Sequence, residues 1–318
     1  MLPGFFTYRR MEEEGYMFQE QPPFWRIQRN GLMQDLRIPE HLSMPPHLYL
    51  KPAGICYAPD SIWQKANPDE DPYEFSYRWR KDIQARVADL GLSFKNIQSE
   101  DTSAIKDFLN RRYPKRLADE ICAFDLFRFR EYGHGIILVD DGGIVRGTIF
   151  EEKYDTAEKT SFTIRLAIDV ETEGHNLGLQ LMRYSVLRAL ETGSRVKRGL
   201  IEFGNLRSLY INLNKVGWIC DGFEPHISSL GSFFRISLPL DPQGVTSNCI
   251  DLSKIGPFLA ARREGIDYRI IDVADFAGVR SLYESGEFVI VALLRHDEVV
   301  KRDSFLALTK ETIQYRPK

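Results

Sequence analysis

A long apolar strand that runs into a two-glycine loop and at once into an amphipathic helix constrains this chain more than any other feature. Ser161–Val170 reads as the strand, Glu173–Leu179 as the loop and Leu177–Thr192 as the helix. Leu179, Met182, Val186, Ala189 and Leu190 recur at helical spacing, and Gly193 stands where a helix would stop. Such a junction aims backbone N–H groups and the positive end of the helix dipole at one point, which suits a phosphate or pyrophosphate. Gly174 and Gly178 permit close approach because neither carries a Cβ. Glycines between a strand and a helix also serve as plain turn formers, and spacing alone leaves both readings open.

Three regions follow from the pattern on either side. Residues 1–91 read as an irregular extension rich in proline and aromatics (Gln21–Trp25, Pro59–Trp63, Pro68–Tyr77), with helical periodicity only from Trp79 to Leu90. So many aromatics beside turn formers suggest a segment wrapped over another surface. Residues 92–240 alternate strands and helices. Leu92–Ile97 reads as a strand, and Asp101 is placed to cap a helix that turns Ala104, Ile105, Phe108 and Leu109 inward. A second helix is expected around Arg116–Arg130, and Gly135–Val139 and Ile144–Phe150 flank Asp140–Gly143, a hairpin signal. Strand Gly199–Gly204, helix Leu206–Lys215 and strands Gly217–Phe223 and Ser232–Leu238 complete the region. Asp241–Gly244 reads as a linker to a small αβαβ extension, 241–318, made of Leu252–Arg263, Tyr268–Val273, Phe276–Glu284 and Phe288–Leu294. That extension could lengthen the main sheet or make a homodimer contact. The order predicts an α/β (α+β) fold with a mixed, mostly antiparallel sheet flanked by helices. No internal repeat is evident.

Composition narrows the function classes. A formal net charge of -3 with no concentrated basic stretch argues against a nucleic-acid partner. The longest apolar run, Phe288–Leu294, has the length of a buried strand, well short of the ~18 residues a membrane span needs. Acids sit where a signal peptide would need its apolar stretch, so a cytoplasmic protein is expected. Cys56, Cys122, Cys220 and Cys249 are far apart with no C-x-x-C pair, which predicts buried thiols, with neither a disulfide framework nor a metal site.

The element order, the Asp140–Gly143 hairpin and the loop Glu173-Gly174-His175-Asn176-Leu177-Gly178 together resemble the GNAT superfamily of N-acetyltransferases over about 150 residues, 92–240. That family's loop reads R/Q-x-x-G-x-G/A. Here Glu173 stands for the Arg or Gln, and a carboxylate there has to point away from a pyrophosphate. Asn176 stands for the first Gly, a mild change because Asn tolerates a left-handed backbone. A second block, Asn205 to Trp218, is similar to the family's N-x-x-(A/S)-…-Y-x-K-x-G-F segment. Counted from Asn205 the family's Tyr falls on Asn212, and counted back from Gly217 it falls on Leu213, so the segment is one residue longer than usual.

The resemblance implies acetyl-CoA, or another acyl-CoA, as co-substrate and an amine as acceptor, with direct attack on the thioester. Backbone N–H groups near Ile168 and Val170 would take the pantetheine as an added strand. Gly174, His175, Asn176, Leu177, Gly178 and Leu179 would bind the pyrophosphate, and Asn205 would cap the helix near the pantetheine arm. Tyr210, the nearest phenol, is the candidate general acid; a packed or surface tyrosine is its other reading. Glu202, a carboxylate in the apolar strand Gly199–Phe203, should have a raised pKa that suits a general base; an outward-facing strand residue is the other reading. Asp169 and His226 are weaker candidates for the base, and His175 can equally face solvent. Two other functions stay open: a catalytically inactive CoA-binding or protein-interaction module, and an acyltransferase using a longer acyl-CoA or an acyl carrier protein.

Overall fold

The computed structural model describes residues 16–21, 24–29, 32–36, 47–50, 72–115, 118–119, 133–155, 160–191, 194, 196–225, 231–240, 267–295, 302–309 and 313–316. The chain divides into two compact units. The first contains Met1–Pro45, Gln84–Leu181 and Ser228–Gly231; the second contains Pro46–Ile83, Met182–Ile227 and Ser232–Lys318. Within each unit the described pairings are antiparallel and helices accompany the strands, the mixed α/β class expected. The Arg116–Arg130 helix, apart from the helical Ala118 and Asp119, lies outside the described residues. So do His226, the 241–244 linker, the Leu252–Arg263 helix, and Cys56, Cys122 and Cys249. Among the described residues, no helix is long and apolar enough to cross a membrane.

The N-terminal segment corrects the expectation of irregular chain. β1 (Tyr16–Gln21), β2 (Phe24–Arg29) and β3 (Leu32–Leu36) form an antiparallel meander, and β4 (His47–Leu50) belongs to the second unit. Arg29 pairs with Leu32 across Asn30–Gly31, a two-residue hairpin signal that the surrounding prolines and aromatics hide. A helix then runs from Pro72 to Ala88, burying Trp79, Ile83 and Val87 at four-residue spacing.

The first unit also holds β5 (Leu92–Asn96), β6 (Gly133–Asp140), β7 (Val145–Asp155) and β8 (Thr160–Ile168), in the sheet order β8-β7-β6-β5. The helix Thr102–Arg112 packs Ile105, Phe108 and Leu109 into a core with Ile137, Val145, Phe150 and Ala167. Its expected cap is different. Asp101 makes no side-chain cap bond to this helix; it accepts from Gln98 N–H at 2.8 Å and from Lys95 Nζ at 2.6 Å, closing the short turn before the helix. The hairpin forms as predicted. Asp140 accepts from the N–H groups of Gly142 (3.0 Å) and Ile144 (2.9 Å) and from Arg146 Nε (3.0 Å). These bonds, the one from Ile144 first, hold its carboxyl below the usual range.

The second unit corrects the expectation that the chain has no repeat. Its first half is β9 (Val196–Glu202), a helix from Leu206, β10 (Ile219–Glu224) and β11 (Phe233–Pro239). Its second half is β12 (Tyr268–Asp272), the helix Phe276–Glu284, β13 (Phe288–Leu294) and β14 (Ser304–Thr309). β14 is absent from the sequence reading, as is β15 (Ile313–Arg316), which pairs with β4. The sheet order is β12-β14-β13-β10-β11-β9, so the two halves mirror one another about the antiparallel β10–β13 pair. The correspondence extends to detail. Asn205 accepts from Ser208 N–H at 3.2 Å and Asp275 from Gly278 N–H at 2.8 Å, each capping its helix by the same three-residue reach. Gly217 (φ 92°) and Gly286 (φ 71°) stand in the left-handed region between helix and next strand. Register shifts at Cys220/Gly222 in β10 and at Ile290/Ala292 in β13, on either side of the Cys220–Ile290 pair that relates the halves.

Candidate functional site

The expected phosphate loop belongs to the first unit. β8 ends at Ile168, whose side chain packs over Gly147: a Cβ there would lie 2.8 Å from Ile168 Cδ1. The strand does not continue to Val170. Asp169 N–H still reaches Arg146 C=O at 2.8 Å, but the Asp169 side chain accepts from Glu171 N–H and turns Val170–Thr172 into a 3-10 turn. Val170 is thus 54% exposed on a turn, past the end of the strand expected to include it, and Ile168 is the strand's last residue.

Beyond the turn the backbone enters the left-handed region twice before the helix opens. Gly174 has φ 94° with nothing within 4 Å of the place a Cβ would occupy. Asn176 has φ 57°, the one non-glycine residue in the left-handed region among the described residues. Its C=O accepts the first bond of the Leu177–Glu191 helix, from Gln180 N–H at 3.1 Å, so the N–H groups of Leu177, Gly178 and Leu179 lie in the opening turn, ahead of any i−4 acceptor. Leu177 itself is buried and anchors the helix start, whereas His175 and Asn176 are exposed.

The charge of Glu173 is directed elsewhere. Its carboxylate lies 3.5 Å from the guanidinium of Arg112, at the end of the Thr102–Arg112 helix. Neighbouring cations are also engaged. Arg111 reaches Val145 C=O at 2.8 Å and Asp169 at 3.3 Å; Arg146 meets Asp140, Asp169 and Glu171 at 3.0, 3.3 and 2.7 Å. Asp169, nearly buried and bound by two arginines and a backbone N–H, is an anchor for the turn and no free base. The sequence reading missed these arginines, because nothing local in it links Arg112 to a carboxylate 61 residues later.

Glu202, Asn205 and Tyr210 belong to the second unit. Glu202 ends β9, half-buried, opposite Phe233, and burial raises its carboxyl above the ordinary value. Asn205 N–H donates to Glu202 C=O at 3.0 Å, so the two residues share one tight turn through Phe203 and Gly204. Gly204 has φ 104°, and Phe203 N–H donates to Ser232 C=O at 2.8 Å.

The helix after Asn205 is not the single helix expected. It is α-helical from Leu206 to Tyr210 and π-helical from Ile211 to Val216, where Gly217 N–H reaches back to Asn212 C=O at 3.0 Å. A π turn accommodates one extra residue, and that residue is the offset between counting from Asn205 and counting from Gly217. Asn212, at one of the two counted positions, is buried and donates to Ser208 C=O at 2.9 Å. Leu213, at the other, is fully buried. Tyr210 is half-exposed, its ring 5.4 Å from the guanidinium of Arg295 and 5.6 Å from Lys215 Nζ. The buried thiol of Cys220 has its pKa pushed up by burial and then by the charge of Asp221, and is unreactive.

No protein-family model and no curated protein matches the chain. Solved structures similar to it include a chimera of spermidine N-acetyltransferase from Vibrio cholerae (10% identity, 47% of this chain and 96% of that one, TM-score 0.41). An IAA acetyltransferase from Bacillus cereus shares 18% identity over 47% of this chain and 99% of that one, TM-score 0.38. A Salmonella typhimurium protein solved with its cofactor acetyl-CoA shares 17% over 50% and 99%, TM-score 0.39.

Proposed function

We propose that the protein is an acyl-CoA-dependent N-acyltransferase that moves an acetyl group from acetyl-CoA to a primary amine by direct attack in a ternary complex. The observation that carries this reading is the left-handed pair Gly174 and Asn176 at the opening of a helix, with Glu173 drawn off toward Arg112. Backbone N–H groups of this loop would hold the pyrophosphate. Glu202 would accept the amine proton through water as nitrogen attacks the thioester carbonyl. The C–S bond then breaks, and Tyr210 would return a proton to the CoA thiolate. Because the thioester is already reactive, the chain's main contribution is orientation, worth up to ~7–11 kcal/mol for well-fixed reactants.

A second reading, a CoA-binding module without catalysis, is favoured by Asn212 and Leu213 at the counted tyrosine positions. Thermal unfolding with increasing acetyl-CoA tests both. Ligand at about 100 times its dissociation constant adds ~2.7 kcal/mol, and no shift at millimolar acetyl-CoA sinks both readings. Thiol release across a panel of amines supports the enzyme. Binding without thiol release supports the module, and competition with longer acyl-CoA species tests the donor's chain length.

A further inference from the structure

The duplication in the second unit is unequal, and the inequality assigns the halves different work. In the first half the helix opens on a neutral amide, Asn205, with the exposed Gly204 before it. In the second half the cap is a carboxylate, Asp275, lying so close over Gly278 that a Cβ there would meet Asp275 Oδ2 at 2.3 Å. A helix opening closed by a fixed negative charge rejects phosphate, carboxylate or thiolate. The second half therefore does not repeat the uncharged cap of the first.

Its side chains instead hold the first half in place. Phe276, first residue of the second helix, lies with its ring 5.3 Å from Phe203 and 5.3 Å from Phe223. Phe203 is the middle of the turn that joins Glu202 to Asn205. Asn214, buried in the π turn, donates from Nδ2 to Leu293 C=O at 2.8 Å and accepts from Leu293 N–H at 2.9 Å, so β13 clamps the far end of the first helix. Tyr283 donates to Cys220 C=O at 2.9 Å beside the axis that relates the halves. The contacts to Phe203 and Asn214 reach the turn and the helix after it, and those to Phe223 and Cys220 reach β10, the strand that follows that helix.

We propose that residues 268–309 are a degenerate second copy of 196–239 retained as a built-in counterpart, with Phe276 as a positioning residue that sets the Glu202–Asn205 turn. The catalytic part of this inference rests on the proposed role of Glu202; the mechanical part does not.

The test compares Phe276→Ala and Phe276→Leu with the parent, all as full-length chains. Amide exchange over 199–210 and over 173–179 is measured beside kcat and KM for acetyl-CoA. In Phe276→Ala the 203–205 amides should exchange about tenfold faster while the 173–179 amides do not change. Turnover should fall by about tenfold or more with the KM for acetyl-CoA unchanged, and Phe276→Leu should recover most of both. Unchanged exchange over 199–210, or a loss shared equally by kcat and KM, overturns the proposal. If Phe276→Ala does not fold, Phe276→Val, smaller than the rescuing leucine, takes its place, and the same faster exchange over 203–205 and loss of turnover are expected of it. If the parent shows no acyl transfer, the proposed function has failed, and the exchange measurement alone decides the positioning role.

Discussion

Asn176 offers the sharpest perturbation, because its backbone is held at φ 57° while its side chain is exposed. A substitution there changes little packing and acts almost wholly through the cost of a left-handed conformation. That cost is about 1–2 kcal/mol for an ordinary residue and less for asparagine, so Asn176→Ala should add about 1 kcal/mol of strain. Asn176→Val, β-branched, should add about 2 kcal/mol. Asn176→Gly relieves the strain but frees the unfolded chain, and should come out within about 1 kcal/mol of the parent. The strain can be spent in either of two ways. If the loop keeps its shape in the free protein, urea unfolding shows the loss directly. If it relaxes, the loss moves to acetyl-CoA binding, where 1.4 kcal/mol is a tenfold weaker dissociation constant. Urea unfolding with and without acetyl-CoA measures both parts, and their sum should follow Val > Ala > Gly. Equal values for Asn176→Val and Asn176→Gly in both measurements would refute the claim that this loop binds through its backbone shape.

Other outcomes follow from the same geometry. Burial raises the Glu202 carboxyl above its ordinary 4.5, so the rising acid limb of kcat/KM should sit above that value. Glu202→Gln should remove that limb and cost about 10²–10⁴ in rate. The same shift means Glu202's contribution to folding is complete below about pH 4.5 and is lost as pH rises through the raised pKa; Glu202→Gln should be free of that loss in chemical denaturation across the range. Asn214→Ala would strand the buried N–H and C=O of Leu293 and should destabilise by roughly 2–4 kcal/mol in urea unfolding. Glu173→Gln removes a negative charge beside the loop and should tighten acetyl-CoA binding by up to about fivefold, while Arg112→Ala should weaken it; titration at two salt concentrations reads both, and the effect should shrink as salt rises.

What could be read in advance followed the strength of local signals. Phe276–Glu284 and Phe288–Leu294 have their expected bounds, since a capped amphipathic stretch and an unbroken apolar run are each decided within a few residues. The Asp140 hairpin was legible for the same reason. Val170 was misplaced because Asp169, polar but strand-compatible in pattern, turns the chain through bonds to Glu171 and to arginines far away in sequence. The tolerance of Asn176 for a left-handed backbone was readable from its residue type, whereas the relief of Glu173 by Arg112 required the tertiary fold. The π turn had left a trace as the one-residue disagreement between two ways of counting. The duplication left only a short trace, the run Arg-Ser-Leu-Tyr at 207–210 and again at 280–283, set three residues apart relative to the two caps, while the strand residues differ.

The pairing of β10 with β13 joins residues about 70 positions apart in one polypeptide. Two separate chains making such a contact would lose it on dilution. Here the covalent connection sets an effective concentration that no dilution alters. The connecting stretch can also lengthen cheaply, since doubling a closed loop costs only about 0.6 kcal/mol. The second half can thus change in sequence without losing its place, so long as Phe276, Tyr283 and the backbone of Leu293 keep their contacts with the first.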